Sequence, residues 1–316
     1  MWKSNLNRAW RSIVRNRMFA LVNIAGLSLA VAACLVIGLI IHYEWNYDRQ
    51  SPHASHIWRA YNETITDGKI ITQDANTHSK LGPSLTADLP EVVSFTRLYN
   101  RGHNEVNILN NEIPYKINDP WMVDTGFLKM FPQQFISGHA ATSLKEPNSI
   151  ILTQSTAERL FGNKNPVGET LNVPGGWMVG IYTVTAVVAD PPQNTHLKFG
   201  LLASYQTRYA QGHTDNWSSY WDYTYFQLNP QADPGKIQNQ LAIYSDEHLK
   251  QEGIRFNMQK LTDIHLHSRL TYEIEKNGDA RTIKALAFIV LFILGIAFIN
   301  YINLTTAQSV IRSKEV

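Results

Sequence analysis

Cysteine is almost missing from this sequence: 316 residues contain one, Cys34. It lies inside a long apolar run, so no disulfide can form in the polar remainder. A domain there must rely on a packed core rather than covalent staples. An excess of one charge is missing too. The 28 Lys and Arg against 26 Asp and Glu leave +2, too little for a nucleic-acid surface. The phosphate-binding GxxxxGK[ST] is absent, as are G-x-S-x-G, H-E-x-x-H and paired CxxC motifs. The chain therefore carries no loop of that type for hydrolysing ATP and no recognisable catalytic motif. It reads as a non-enzyme without a cofactor.

What is present is a contrast in polarity. Mean hydropathy is −0.22 and the apolar fraction 44%, both ordinary for a soluble protein. The average hides two runs without Asp, Glu, Lys or Arg, at 19–43 and 286–310. At about 1.5 Å per residue, each is long enough as a helix to cross a hydrocarbon core of about 30 Å. The expected plan is a cytoplasmic amphipathic basic helix at 1–18, a transmembrane helix at 19–43 and an outer domain at 44–283. A second transmembrane helix follows at 284–310, and a cytoplasmic segment begins at 311–316.

Orientation follows from the flanks. Lys3, Arg8, Arg11, Arg15 and Arg17 precede the first span, and the first eighteen residues contain no acid. Positive flanks stay inside, so the N-terminus is expected in the cytoplasm and the central domain outside. A cleaved signal peptide is the competing reading. Its apolar region would be shorter, with small residues after it, whereas His42-Tyr43-Glu44-Trp45 follows here. Upstream, Trp2, Leu6, Ala9, Trp10 and Ile13 share one helical face, opposite Arg8, Arg11 and Arg15. That pattern suits an interfacial helix, or a charged leader that sets topology.

Polar and small residues mark the spans. The first has Asn23, then Gly26 and Ala30 at small-xxx-small spacing; the second has Gly295, Asn300 and Asn303, with Thr305 and Thr306 beyond. Amides in hydrocarbon need partners, so these residues are expected to face other helices or water. Helix packing is the main reading and a transport path the other. Both call for more membrane helices than this chain supplies.

The outer domain reads as mixed α and β. Residues 57–65, 92–99 and 182–188 are rich in β-branched and aromatic side chains, and 106–109 with 113–117 suggest a hairpin turning through Asn110-Asn111. Helices are expected over 79–88, after a capping box at Ser155 and Glu158 with Gly162 as its stop, and from Asp233-Pro234 toward Lys250. Residues 194–217 carry no clear signal. His265 and His267 would share one face of a strand, a spacing that suits a metal, although plain surface or core histidines fit as well. The aromatic run 217–225 suits either a binding surface or a half-buried strand.

Several segments, taken in order, carry a family resemblance. Asn23-Ile24-Ala25-Gly26-Leu27-Ser28-Leu29-Ala30, continuing to Tyr43-Glu44 and Tyr47-Asp48, resembles the first membrane helix of MacB/FtsX-type ABC transporter permeases. Leu89-Pro90-Glu91-Val92 is similar to a short element of that family. So are Val123-Asp124 with Phe127 and Phe131, and residues 149–153 with Ala157-Glu158-Arg159-Leu160-Phe161-Gly162 and Asn165-Pro166-Val167-Gly168. Residues 185–192 with Asn194-Thr195-His196 follow, then 298–305 with Arg312-Ser313-Lys314-Glu315-Val316.

The resemblance implies an α+β extracytoplasmic domain, with a porter-like α/β part and a more β-rich part, between two transmembrane helices. It implies a multi-pass permease of the bacterial inner membrane that works with an ABC ATPase subunit and a second permease copy or paralogue. A periplasmic adaptor or outer-membrane partner is a further implied contact. ATP hydrolysis inside would drive domain motion outside, for efflux or for lipoprotein or peptide release. Residues 263–268 are similar to a strand that is no metal site in the family. The sequence stops where the family's cytoplasmic coupling segment begins, so a fragment, a truncated product or one piece of a split permease is expected. Arg312, Lys314 and Glu315 are the candidate contacts to a cytoplasmic partner. Two rival readings are a two-span receptor and a membrane-anchored extracytoplasmic enzyme.

Overall fold

The computed structural model describes residues 17–102 and 104–313. The basic leader at 1–16, with Lys314 and Glu315, lies outside the described residues. The first element is α1 (Arg17–Trp45), a helix of 29 residues without an interruption. It contains no proline and no charged residue between Arg17 and Glu44, so nothing breaks the backbone ladder or draws it into water.

Residues 46–277 form a separate compact unit. It opens with β1 (Ile57–Thr66), β2 (Lys69–Asp74), α2 (Leu81–Asp88) and β3 (Val92–Tyr99). Pro83 sits in the first turn of α2, where its missing N–H is no loss. Next come β4 (Glu105–Asn110), β5 (Ile113–Asn118), β6 (Pro120–Val123), α3 (Gly126–Met130), β7 (Phe135–Ser137) and β8 (Ser149–Thr153). They lead into α4 (Gln154–Phe161), β9 (Thr170–Val173), β10 (Gly180–Val188), β11 (Leu201–Ser204) and α5 (Gln206–Ala210). The unit closes with β12 (Asp222–Leu228), α6 (Pro234–His248), β13 (Ile254–Lys260) and α7 (Leu261–His267).

Two layers of this plan share one sheet. The order β13-β1-β12-β3, with α2 linking β1 to β3 and α6 linking β12 to β13, is a split β-α-β arrangement. Its core joins Leu81 and Leu85 of α2 and Ile237 and Leu241 of α6 to Phe226 and Phe256 of the strands. Residues 100–221 are inserted between β3 and β12 and form the β-rich part. The sheet continues into them as β3 pairs with β6 through Leu98↔Val123 and Tyr99↔Met122. A second core follows, with Ile108, Ile150, Leu171, Val184 and Leu201 all buried.

Some local expectations shift. The hairpin turns at Asn111 and Glu112, both at positive φ (48° and 65°), so that Asn110 pairs with Ile113. Two left-handed residues are what a two-residue hairpin turn requires. The cap of α4 is Thr153 rather than Ser155. Thr153 ends β8 in extended backbone, so its hydroxyl reaches the Thr156 N–H, whereas Ser155 is already helical and donates to Asp190 (2.6 Å). Asp233 does cap α6 through Gly235 N–H (2.9 Å), but that helix ends at His248. The unassigned stretch 194–217 contains β11 and α5.

His265 and His267 lie on a helix, α7, not on a strand. Positions two apart on a helix point about 200° from one another, and His265 is buried while His267 is exposed. Among the described residues no group of three His, Cys, Asp or Glu is placed to hold a metal.

The last element is α8 (Ala280–Ser313), which with α1 forms the other compact unit. Leu21–Trp45 and Ala280–Asn303 are long and apolar enough to cross a membrane, and their large side chains are outward, Leu29 at 73% and Phe288 at 72% exposure. Cys34 Sγ lies 3.9 Å from Val290 O, so the two helices run side by side.

Candidate functional site

A cleft of about 630 Å³ lies between α1 and α8. Asn23, Gly26 and Ala30 line it from α1, and Ala297, Asn300 and Asn303 from α8. Five of the six residues singled out in the spans thus meet in one place. Gly295 is not on its wall. A methyl group added at Gly26 or Gly295 would meet nothing within 4 Å, so neither glycine is needed for the contact between these two helices. Thr305 and Thr306 hydroxyls bond back to Tyr301 O (2.7 Å) and Ile302 O (2.9 Å) within α8. No titratable side chain lines the cleft among the described residues. The chemistry it offers is amide hydrogen bonding and close packing. Arg312 falls in the final turn of α8.

The outer unit treats polar groups quite differently. Arg97 of β3 is 1% exposed and spans the split β-α-β part and the insertion. It donates to Asp124 through Nε (2.9 Å) and Nη2 (2.8 Å), and through Nη1 to Asp215 (2.6 Å) and Ser79 O (2.7 Å). Its guanidinium lies 3.9 Å from the Tyr205 ring. Burial works against its charge, but Asp124 prevails and holds its pKa well above the usual value. Beside it, Asp222 is fully buried, and burial lifts its carboxyl to about 6 against the pull of Arg208 and Arg97. Tyr205 OH donates to Asp222 at 2.9 Å, which satisfies part of that charge.

A second pair of acids, the buried Asp48 and the half-buried Glu273, lies close in sequence to the two helices. Asp48 accepts from Thr195 Oγ1 (2.7 Å) and His196 N (2.9 Å). Glu273 accepts from both terminal nitrogens of Arg59 (2.6 and 2.7 Å). Sequence reading singled out none of these pairs. Asp48 and His196 stood out only as parts of family-like segments, and Arg59 and Glu273 carried no signal.

The model of the MacB-like periplasmic core domain matches residues 20–244. The chain belongs to that family. It is thereby a component of the ABC-transporter permease class, a membrane protein with an extracytoplasmic domain. Comparison with curated proteins by sequence gave no match. Among solved structures, the chain is similar to a domain of a protein described as a permease from Porphyromonas gingivalis. That likeness has a TM-score of 0.58 at 17% identity and covers 75% of this chain and 99% of that one. The periplasmic region of MacB from Actinobacillus actinomycetemcomitans gives 0.48 at 12% identity, over 67% and 91%. The extracellular domain of the ABC-type transporter YknZ from Gram-positive bacteria gives 0.47 at 14%, over 64% and 99%. At these identities the first likeness concerns the fold alone. The family model starts inside α1, so the first helix and the MacB-like core are matched as one stretch.

Proposed function

We propose that this chain is a permease subunit of an ABC-type exporter or mechanotransmission complex of the bacterial inner membrane. Its N-terminus is cytoplasmic and its core domain periplasmic. A separate ATPase subunit hydrolyses ATP inside, and the core domain moves outside, for efflux or for release of a lipoprotein or peptide. A second permease copy or paralogue supplies helices to the amide-lined cleft, and an adaptor or outer-membrane protein is a further partner. Arg312, Lys314 and Glu315 are candidate contacts to the ATPase. The observation that carries this reading is a MacB-like core bracketed by two membrane-length helices whose amides meet in a cleft. An amide in hydrocarbon is costly without a hydrogen-bonding partner, which a neighbouring helix supplies.

The test is reconstitution in lipid nanodiscs with a candidate ABC ATPase subunit. A fluorophore on the exposed Ile136 position should respond to ATP and not to a non-hydrolysable analogue alone. An ATPase that neither binds the chain nor moves the label overturns the reading. Labelling a cysteine placed at Ile136 from outside intact cells checks the orientation, and labelling only after lysis reverses it.

A further inference from the structure

Two short connections tie the core domain to the membrane helices: residues 46–50 after α1, and 268–279 before α8. Both are fastened inside the domain. On the entry side Asp48 is 3% exposed and holds a positive φ of 57°. Its N–H donates to Asn194 O (2.9 Å), its Oδ1 takes the Thr195 and His196 bonds, and its Oδ2 lies 2.8 Å from His196 Nδ1. The preceding Tyr47 stacks on His265 with ring centres 3.6 Å apart. On the exit side Glu273 takes the fork of Arg59 and the hydroxyl of Ser268. Tyr272 O accepts from Tyr223 OH (2.7 Å), and Asn277 Nδ2 donates to Ser268 O (3.1 Å).

The two fastenings meet at one residue. His196 Nε2 is 2.6 Å from Tyr225 OH, and Tyr225 is the cross-strand partner of Arg59 in the β1–β12 pair. As facing partners on neighbouring strands, Tyr225 and Arg59 raise their side chains from the same face of the sheet, and both are fully buried. A continuous chain therefore runs Asp48–His196–Tyr225–Arg59–Glu273, buried along its length and half-buried at Glu273. Buried ion pairs add little net stability, since desolvation offsets their attraction. A non-glycine residue held at positive φ adds local strain. What such an arrangement does supply is fixed geometry, because a member that moves strands a buried polar or charged neighbour.

We infer that Asp48, His196, Tyr225, Arg59 and Glu273 form a positioning relay that couples the entry connection to the exit connection. A displacement imposed at either is then carried across β1 and β12 to the other, not absorbed in a slack linker. The use of this relay rests on the permease reading. Its existence does not.

Hydrogen exchange of the full chain in nanodiscs tests it, without any ATPase. Asp48→Asn keeps the shape and suits the positive φ, yet it removes the charge; exchange should rise at 46–51 and also at 268–277. Glu273→Gln should do the reverse, since coupling between two sites is reciprocal. Tyr225→Phe removes one hydroxyl and should loosen both connections while β8, β10 and β11 keep their protection. If Tyr225→Phe does not fold, His196→Gln cuts the same link. The relay is overturned if each substitution loosens only its own connection. Exchange that rises evenly through the insertion also overturns it, because that marks ordinary destabilisation. Reciprocal loosening without any ATP-driven motion in the nanodisc assay would leave the relay standing and sink the permease reading.

Discussion

The core domain hides several of its charges and the helices hide almost nothing. Arg59, Arg97 and Asp222 are each no more than 1% exposed in the domain, whereas Leu29, Phe288 and Phe292 of the helices stand at 70% or more. Water is the solvent in one region and lipid in the other. The domain must therefore neutralise each charge it buries, while the helices need only satisfy their few amides. The difference teaches where each region is fragile: the domain at its ion pairs, the helices at Asn23, Asn300 and Asn303.

Breaking the contrast from the domain side gives the largest effect. Arg97→Met leaves Asp124 and Asp215 without their cation and should cost about 3–5 kcal/mol in denaturant unfolding of the purified chain. A loss below 1 kcal/mol would show that those acids find water instead. Next is pH. His78 is buried against Phe256, and burial alone holds its pKa at about 4 against an ordinary 6.5. Because the unfolded chain binds the proton first, stability falls as pH drops from 6.5 and levels off near 4. At about 1.4 kcal/mol per pH unit the loss is about 3 kcal/mol. His78→Phe should flatten that part of the pH profile, and an unchanged slope would assign it to other groups.

Smaller effects sharpen the comparison. On the helix side, Asn300→Leu should weaken association with a neighbouring helix by about 0.6–2 kcal/mol, read as dissociation in detergent titrations. Thr153→Ala removes the cap of α4 and should cost about 1 kcal/mol of unfolding free energy. Phe292→Leu, on the open face of α8, should change unfolding by no more than about 0.5 kcal/mol. A large loss there would mean that Phe292 packs against protein in the membrane.

Local features were legible in the sequence and distant ones were not. The charge-free runs showed the two helices, and β-branched and aromatic clusters showed β1, β3 and β10. Asp233-Pro234 marked the start of α6, because cap and proline act within one turn. Thr153 and Ser155 offer the same hydroxyl chemistry, so only the end of β8 decides between them. A strand period fails at His265 and His267 because their backbone is helical. Asp48 meets His196 across 148 positions and Arg59 meets Glu273 across 214; no periodicity registers such pairs. The meeting of Asn23 with Asn300 and Asn303 was foreseeable only as a need for partners, not as a shared cleft.

The insertion at 100–221 leaves and rejoins the sheet at facing positions, Tyr99 and Asp222 being register partners on β3 and β12. Its two ends are thus one strand spacing apart, about 5 Å. The fold can be treated as a socket with an exchangeable cartridge. A cartridge of another shape fits without disturbing β13-β1-β12-β3, provided that it brings acids to meet Arg97. The insertion can then diverge in sequence while β13-β1-β12-β3 and its two helices stay the same.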